Sequence, residues 1–287
     1  MINIIVNSGY SFFALRKSLV KFFLKKNNIN LFVPNNIQNI LNEFKSKKLK
    51  VKKIKIRSKK NNFIILIKNS LSLIGILKKN ESNNTYLIFG TYMNLIFGTL
   101  SFFIDSKKNI YVFTGLGSFF NTNNYILIFF VKFFFNILLL KKKSHFIFYN
   151  VGDRNYLVQN KFFNRTSIIN GSGIKINNTS LKKKIDKKVK FVFYSRLNYD
   201  KGIVQLINAI NIVNKKGFKE KFEIYIYGLF DNNPSSLKKK NLLLLIRNIE
   251  NCFFSEVAYK VNLKKILGDK HVFILPSHGE GLPKTAL

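Results

Sequence analysis

The sequence predicts an α/β protein built from two parallel-sheet domains. Two observations carry this. Short apolar runs alternate with longer segments of helical periodicity from one end of the chain to the other, the pattern of a parallel sheet covered by helices on both faces. The alternation also breaks once. Gly171-Ser172-Gly173, then Asn177-Asn178 and a lysine run, read as a linker over 171–187, and the pattern restarts after it. This gives one domain over 1–170 and a second over 188–287.

In chain order, Ile2–Val6 is a strand and Asn7-Ser8-Gly9 a turn. Ser11 to Lys26 is an amphipathic helix with Phe12, Leu15, Leu19, Phe22 and Phe23 on one side. Ile29–Val33 is a second strand ending at Pro34. This β-turn-α-β opening is Rossmann-like, but without a G-x-G-x-x-G it assigns no dinucleotide site. Next come a helix over Ile37 to Lys48, a strand over Val51–Ile56 and a helix over Phe63 to Lys78. The strand Tyr86–Phe89, the helix Thr91 to Phe103, the strand Asn109–Phe113 and the apolar helix Tyr125 to Leu140 follow, and His145–Tyr149 is the last strand of the first half. The second half reads as strand 190–194, helix 202–215, strand 222–227, helix 237–248, strand 251–254, helix 259–267 and strand 271–275.

The chain has 287 residues, 47% of them hydrophobic, with a formal net charge of +36. That apolar fraction supports a core and excludes global disorder. Nearly all the positive charge is lysine, travelling with heavy Asn, Ile and Phe use, the signature of an AT-rich genome. A basic face meeting anionic lipid headgroups is compatible with it. A nucleic-acid protein would cluster its cations on one face, whereas here they are dispersed through every segment, so no nucleic-acid partner is expected. Cys252 is the only cysteine, which excludes a disulfide framework and a zinc pattern. The apolar stretch 125–140 is short of the roughly 20 residues that span a bilayer, and Lys132 and Asn136 lie four apart on it. It reads as a membrane-surface helix or a buried core helix.

Four constellations are candidates for chemistry. Arg196 ends a strand, Lys201 follows five residues on, and Gly202 opens a helix. A guanidinium fork, a point charge and a helix N-terminus suit a diphosphate; two solvated cations in a lysine-rich chain are the plain alternative. Gly228 after the strand 222–227 either lets a base or ribose approach the backbone or only makes a turn. Gly279, Glu280, Gly281 and Leu282, between Pro276 and Pro283, form a tight loop whose carboxylate suits sugar hydroxyls. Thr114-Gly115-Leu116-Gly117-Ser118 is a Gly-rich strand-to-helix turn. Neither a nucleophilic triad nor a metal cluster can be assembled, and Asp-x-Asp is absent.

In this order these residues resemble a family 4 glycosyltransferase of GT-B architecture, two Rossmann-like domains facing each other across a cleft. Val192-Phe193-Tyr194-Ser195-Arg196-Leu197 with Lys201-Gly202 resembles the family's "RL…KG" segment. Ile274-Leu275-Pro276-Ser277-His278-Gly279-Glu280-Gly281-Leu282-Pro283 resembles its "PS…EGLP" loop, and Ile168–Ile174 its interdomain "NGSGV". In the first half, residues 13–19, 91–98, 114–120 and 148–153 are similar to bacterial enzymes that extend lipid-linked oligosaccharides for O-antigen, capsule or protein glycans.

The resemblance implies retaining transfer of a hexose or N-acetylhexosamine from a nucleotide-diphosphate sugar, UDP foremost, to a polyprenyl-diphosphate-linked acceptor. The chain would work in the cytoplasm, peripheral at the cytoplasmic face of the inner membrane. It implies catalytic roles for Glu280, Arg196 and Lys201, with Gly202, Gly228, Gly279, Gly281 and Leu282 around the donor. Gly115 and Gly117 would lie on the acceptor side, and neither metal nor other cofactor is needed. The chain departs from the family in two ways. Met93-Asn94 stands where members commonly have Lys-Pro. A second glutamate, eight positions after the first, would fall just beyond Leu287. The expectation is a C-terminally truncated chain with its second domain incomplete; an inactive fragment or a non-catalytic membrane-associated remnant is the alternative.

Overall fold

The structure is a computed structural model and describes residues 1–34, 44, 46–54, 56, 68–71, 73, 77, 83–116, 120, 124–171, 173, 187–230, 236–257, 266 and 272–278. The chain divides into two compact units, Met1–Gly173 and Ile174–Leu287.

The first unit holds a seven-stranded sheet in which every pairing is parallel, in the order β3-β2-β1-β4-β5-β6-β7. The strands are β1 (Ile2–Val6), β2 (Ile29–Val33), β3 (Leu49–Lys53), β4 (Thr85–Phe89), β5 (Lys108–Phe113), β6 (Ser144–Phe148) and β7 (Thr166–Ile168). The central strands β1, β2 and β4 are almost wholly buried, as continuous apolar runs in a covered parallel sheet should be. Alternate residues serve opposite faces. Ile5, Phe32, Tyr86, Ile88, Tyr111, Phe113, Phe146 and Phe148 form one core, and Ile4, Val6, Leu31, Val33, Leu87, Phe89 and Val112 the other. β3 is the sheet edge and carries lysines at alternating positions, which discourages further pairing. It begins two residues before the predicted Val51, because its ladder matches β2, Ile29 to Leu49 through Val33 to Lys53.

The helices of this unit are α1 (Gly9–Leu24), α2 (Thr91–Leu100), α3 (Tyr125–Leu140) and α4 (Val151–Leu157). Residues 68–71, 73 and 77 are helical, within the helix expected over 63–78. The helices expected over 37–48 and 259–267 lie largely outside the described residues; of the latter, residue 266 is helical. α2 and α3 approach closely at Gly98, where a side chain would sit 2.6 Å from Leu138. α3 starts at Asn124, whose side chain accepts from Leu127 N at 2.9 Å. α4 has no counterpart among the sequence-based expectations. It is short, and Asn150 caps it by accepting from Asp153 N at 2.7 Å, so the Asn-x-x-Asp spacing was its one local signal.

The second unit holds a four-stranded parallel sheet, order β10-β9-β8-β11. Its strands are β8 (Val189–Arg196), β9 (Phe222–Leu229), β10 (Cys252–Glu256) and β11 (Val272–Phe273), and its helices α5 (Ile203–Val213) and α6 (Lys239–Ile246). Phe193, Leu197, Ile203, Leu206, Ile207, Ile210, Ile224, Ile226, Leu237 and Leu242 make the core. β11 is shorter than the predicted 271–275. Among the described residues it pairs with β8 at Phe191 and Val192, and after one more bond, Ile274 N to Val192 O at 2.8 Å, the chain leaves the ladder.

Candidate functional site

Strand order places a crevice in each unit. In an open parallel sheet, ligands bind beyond the C-terminal strand ends where the winding reverses. In the second unit β9 and β10 lie on one side of β8 and β11 on the other, so the reversal falls between β8 and β11. β8 ends at Arg196 and β11 runs into Pro276-Ser277-His278. Two stretches far apart in sequence therefore leave adjacent strand ends together.

The loop after β8 is held tightly. Leu197 N donates to Leu229 O at 2.9 Å and Leu237 N to Leu197 O at 2.9 Å, locking the strand end from both sides. Tyr199–Lys201 form one 3-10 turn, with Lys201 N bonded to Asn198 O at 3.1 Å and Gly202 N to Tyr199 O at 3.0 Å. Gly202 then takes a left-handed φ of 73° and starts α5, a conformation that only glycine adopts cheaply. Its N-cap, Gly202, has no side chain to cap it, and the first N–H groups of α5 form the positive end of its dipole. Arg196 is exposed and Lys201 half-buried.

The Pro276–His278 segment lies directly against this turn. A side chain on Gly202 would collide with the Pro276 carbonyl. His278 N donates to Asp200 O at 3.0 Å, and Gln205 Nε2 meets His278 Nε2 at 3.0 Å. Arg196, Lys201 and Gly202 are thus gathered beside the entrance to the loop predicted to carry the carboxylate. Gly279, Glu280, Gly281 and Leu282 lie outside the described residues. Asp200 and Gln205 escaped the sequence reading because their part is to bind a distant loop.

Gly228 is buried at the end of β9, opposite Ser195. A Cβ there would lie 2.6 Å from Leu197 side-chain carbons and from Ser195 O. Close packing of Leu197 accounts for a glycine at this place.

In the first unit the reversal falls between β1 and β4. Gly115 follows β5 with φ 136° and open space where a Cβ would be; its carbonyl accepts from Thr91 Oγ1 at 3.0 Å. Gly117 lies outside the described residues. Met93 and Asn94 are fully buried, and Asn94 Nδ2 donates to Val112 O at 3.2 Å, so this pair belongs to the packing of α2 on the sheet. Arg16, also buried, sits 4.7 Å from the Phe89 ring centroid and donates to Tyr149 Oη from Nε and Nη2 at 3.3 and 3.2 Å. Among the described residues, no three His, Cys, Asp or Glu side chains come together as a metal site.

Residues 176–287 match the model of the family described as glycosyl transferases group 1. No curated protein matches the sequence. Among solved structures, Anabaena Alr3699/HepE in complex with UDP and glucose superposes with a TM-score of 0.64 at 11% identity, over 96% of this chain and 74% of that one. A UDP-forming α,α-trehalose-phosphate synthase from Burkholderia xenovorans gives 0.68 at 9%, over 99% and 80%. WaaG, a glycosyltransferase involved in lipopolysaccharide biosynthesis, gives 0.58 at 8%, over 98% and 76%. Residues 176–287 are thus similar to a glycosyl transferases group 1 domain, and the chain has the two-sheet α/β fold of the GT-B glycosyltransferases.

Proposed function

We propose that the chain transfers a hexose or N-acetylhexosamine, with retention, from a nucleotide-diphosphate sugar to a polyprenyl-diphosphate-linked acceptor in surface polysaccharide or glycan synthesis. The observation that carries the donor side is the packing of Pro276–His278 against Asp200 and Gly202, in the turn that follows Arg196 and holds Lys201, at the β8/β11 strand ends. UDP is the favoured nucleotide, because Alr3699/HepE is a UDP complex and the Burkholderia enzyme is UDP-forming.

The chemistry follows from where charge develops. As the bond from the anomeric carbon to the diphosphate breaks, negative charge grows on the leaving phosphate oxygens. Arg196, Lys201 and the open N-terminus of α5 supply fixed positive potential to it. That is the work a divalent metal does in other transferases, so this reading is metal-independent. Glu280 holds the donor sugar hydroxyls, with Gly279, Gly281 and Leu282 at the same ring. The acceptor hydroxyl bonds to the anomeric carbon on the face the diphosphate leaves and passes its proton to the departing phosphate oxygen, so no protein nucleophile is needed. Gly115 and Gly117 line the acceptor side, which tolerates close approach because Gly115 faces open space. Such an acceptor places the protein peripherally at the cytoplasmic membrane face.

Calorimetry of the full chain with UDP is the direct test. Binding that weakens at least tenfold in Arg196→Ala, with unchanged thermal unfolding, supports the reading; absence of UDP binding by the wild-type chain overturns it.

A further inference from the structure

Helix α3 turns its apolar side outward. A helix on an aqueous surface ordinarily presents polar residues to water. Here the outward stripe is Ile126, Phe129, Phe130, Phe133 and Leu140, spaced for one helical face. Ile126 is 71% exposed, Phe129 64% and Phe133 57%, and the rings of Phe129 and Phe133 stack with centroids 6.3 Å apart. Both polar residues of the helix turn toward the protein. Asn136 is buried, donating to Leu157 O at 3.0 Å and accepting from Gln159 N at 3.0 Å. Lys132 lays its ammonium 3.5 Å from the Tyr156 ring centroid, and burial lowers its pKa.

The stripe continues past the helix. Phe102 and Phe103, in the turn after α2, are exposed. Lys141 ties them to the end of α3, bonding the Ser101 carbonyl and lying 4.3 Å from the Phe102 ring centroid. Lys142 and Lys143 follow, and Lys107 and Lys108 are exposed at the start of β5. The one carboxylate in these segments, Asp105, is paired with Lys143 at 2.6 Å. Among the described residues no helix is long and apolar enough to cross a membrane. At about 1.5 Å per residue, the sixteen residues of α3 reach about 24 Å, against about 30 Å of hydrocarbon.

An apolar stripe bordered by lysines with so little acid among them fits a partner that is oily in its interior and anionic at its surface. We propose that the outward face of α3, together with Phe102 and Phe103, docks on an anionic phospholipid surface. The aromatic side chains enter the headgroup–acyl boundary, and Lys107, Lys108 and Lys141–Lys143 meet lipid phosphates. This deepens the lipid-linked acceptor reading above, and rests on it only for the choice of membrane face.

The test is flotation of the full chain with phosphatidylglycerol-containing vesicles and with pure phosphatidylcholine vesicles. Wild type should float with the first and far less with the second. Phe129→Ser/Phe133→Ser and, separately, Lys108→Glu/Lys142→Glu should each weaken binding about tenfold or more, with UDP affinity unchanged. Should the phenylalanine variant fail to fold, the lysine variant decides. Wild-type binding to both vesicle types alike, or no loss in a folded variant, overturns the proposal. A wild-type dimer that the phenylalanine variant splits, with vesicle binding unaltered, overturns it in favour of an interface between copies. Loss of UDP binding in the wild type with phenylalanine-dependent flotation intact defeats the donor reading and leaves the lipid face standing.

Discussion

Gly202 lies so close beneath the carbonyl of Pro276 that a methyl group on its Cα would overlap that oxygen. Its φ of 73° adds a second obstacle to any side chain. Gly202→Ala should therefore cost about 1–3 kcal/mol and push the Pro276–His278 segment off the β8 turn. Thermal unfolding should drop by about 2–10 °C and UDP binding should weaken in the same protein. An alanine variant with wild-type unfolding would show that this contact does not hold the loop.

Arg196 and Lys201 separate binding from folding. Both side chains reach the surface, so alanine at either should leave the chain folded, with a stability change of no more than about 1 kcal/mol. Each should lower UDP affinity about 10- to 100-fold, the range of a lost charge-assisted bond. Uridine, which lacks the diphosphate, supplies the control: its affinity should not move. Equal losses for uridine and UDP would place these cations away from the phosphates.

Asn136 closes the gap between α3 and the end of α4 through its bonds to Leu157 and Gln159. Asn136→Ala leaves the buried Leu157 carbonyl and the part-buried Gln159 N–H without that partner, at about 1–3 kcal/mol. Urea unfolding should shift its midpoint to lower concentration, and hydrogen exchange at Gln159 should accelerate. An unchanged midpoint would mean that water replaces the amide.

Cys252 offers a pH-dependent check. Burial pushes its thiol from 9.0 up to about 12, so at pH 8 it stays neutral and unreactive in the fold. Thiol reagents should label the native chain slowly and the urea-unfolded chain fast. A raised folded pKa contributes stability in full below the unfolded value, and that stability is lost as pH rises from about 9 toward 12. Rapid native labelling at pH 8 would contradict the buried thiol.

Much of this was legible in the sequence because local and global requirements coincide. The buried strands announce themselves as apolar runs, and Gly202 marks the start of α5 by its own chemistry, whereas β11 ends at Phe273, before Pro276. That the turn at Asp200–Gly202 meets Pro276–His278 was not legible, since it depends on strand order, and two consecutive helices can return on either side of a sheet. Gly228 shows the opposite limit: a glycine after a strand invites a ligand in the sequence, while Leu197 fills its space in three dimensions. Helix α4 escaped because its seven residues bury only Leu157, too little for a periodic pattern. For α3 the stripe was visible, but its direction was set by Asn136, whose partners Leu157 and Gln159 lie beyond β6.

The pairing of β8 with β11 also has a kinetic meaning. Among the described residues β8 is the first strand of the second sheet and β11 follows β9 and β10 in the chain, so the gap between β8 and β11 closes only after β9, β10 and their connections have been laid down. Such a long loop closes slowly. Until then the β11-facing edge of β8 is an open strand, available to the wrong neighbour. A refolding chain should regain its helical signal early and its capacity to bind nucleotide last, and ligand added at the start should trap the β8–β11 pairing rather than hasten its nucleation.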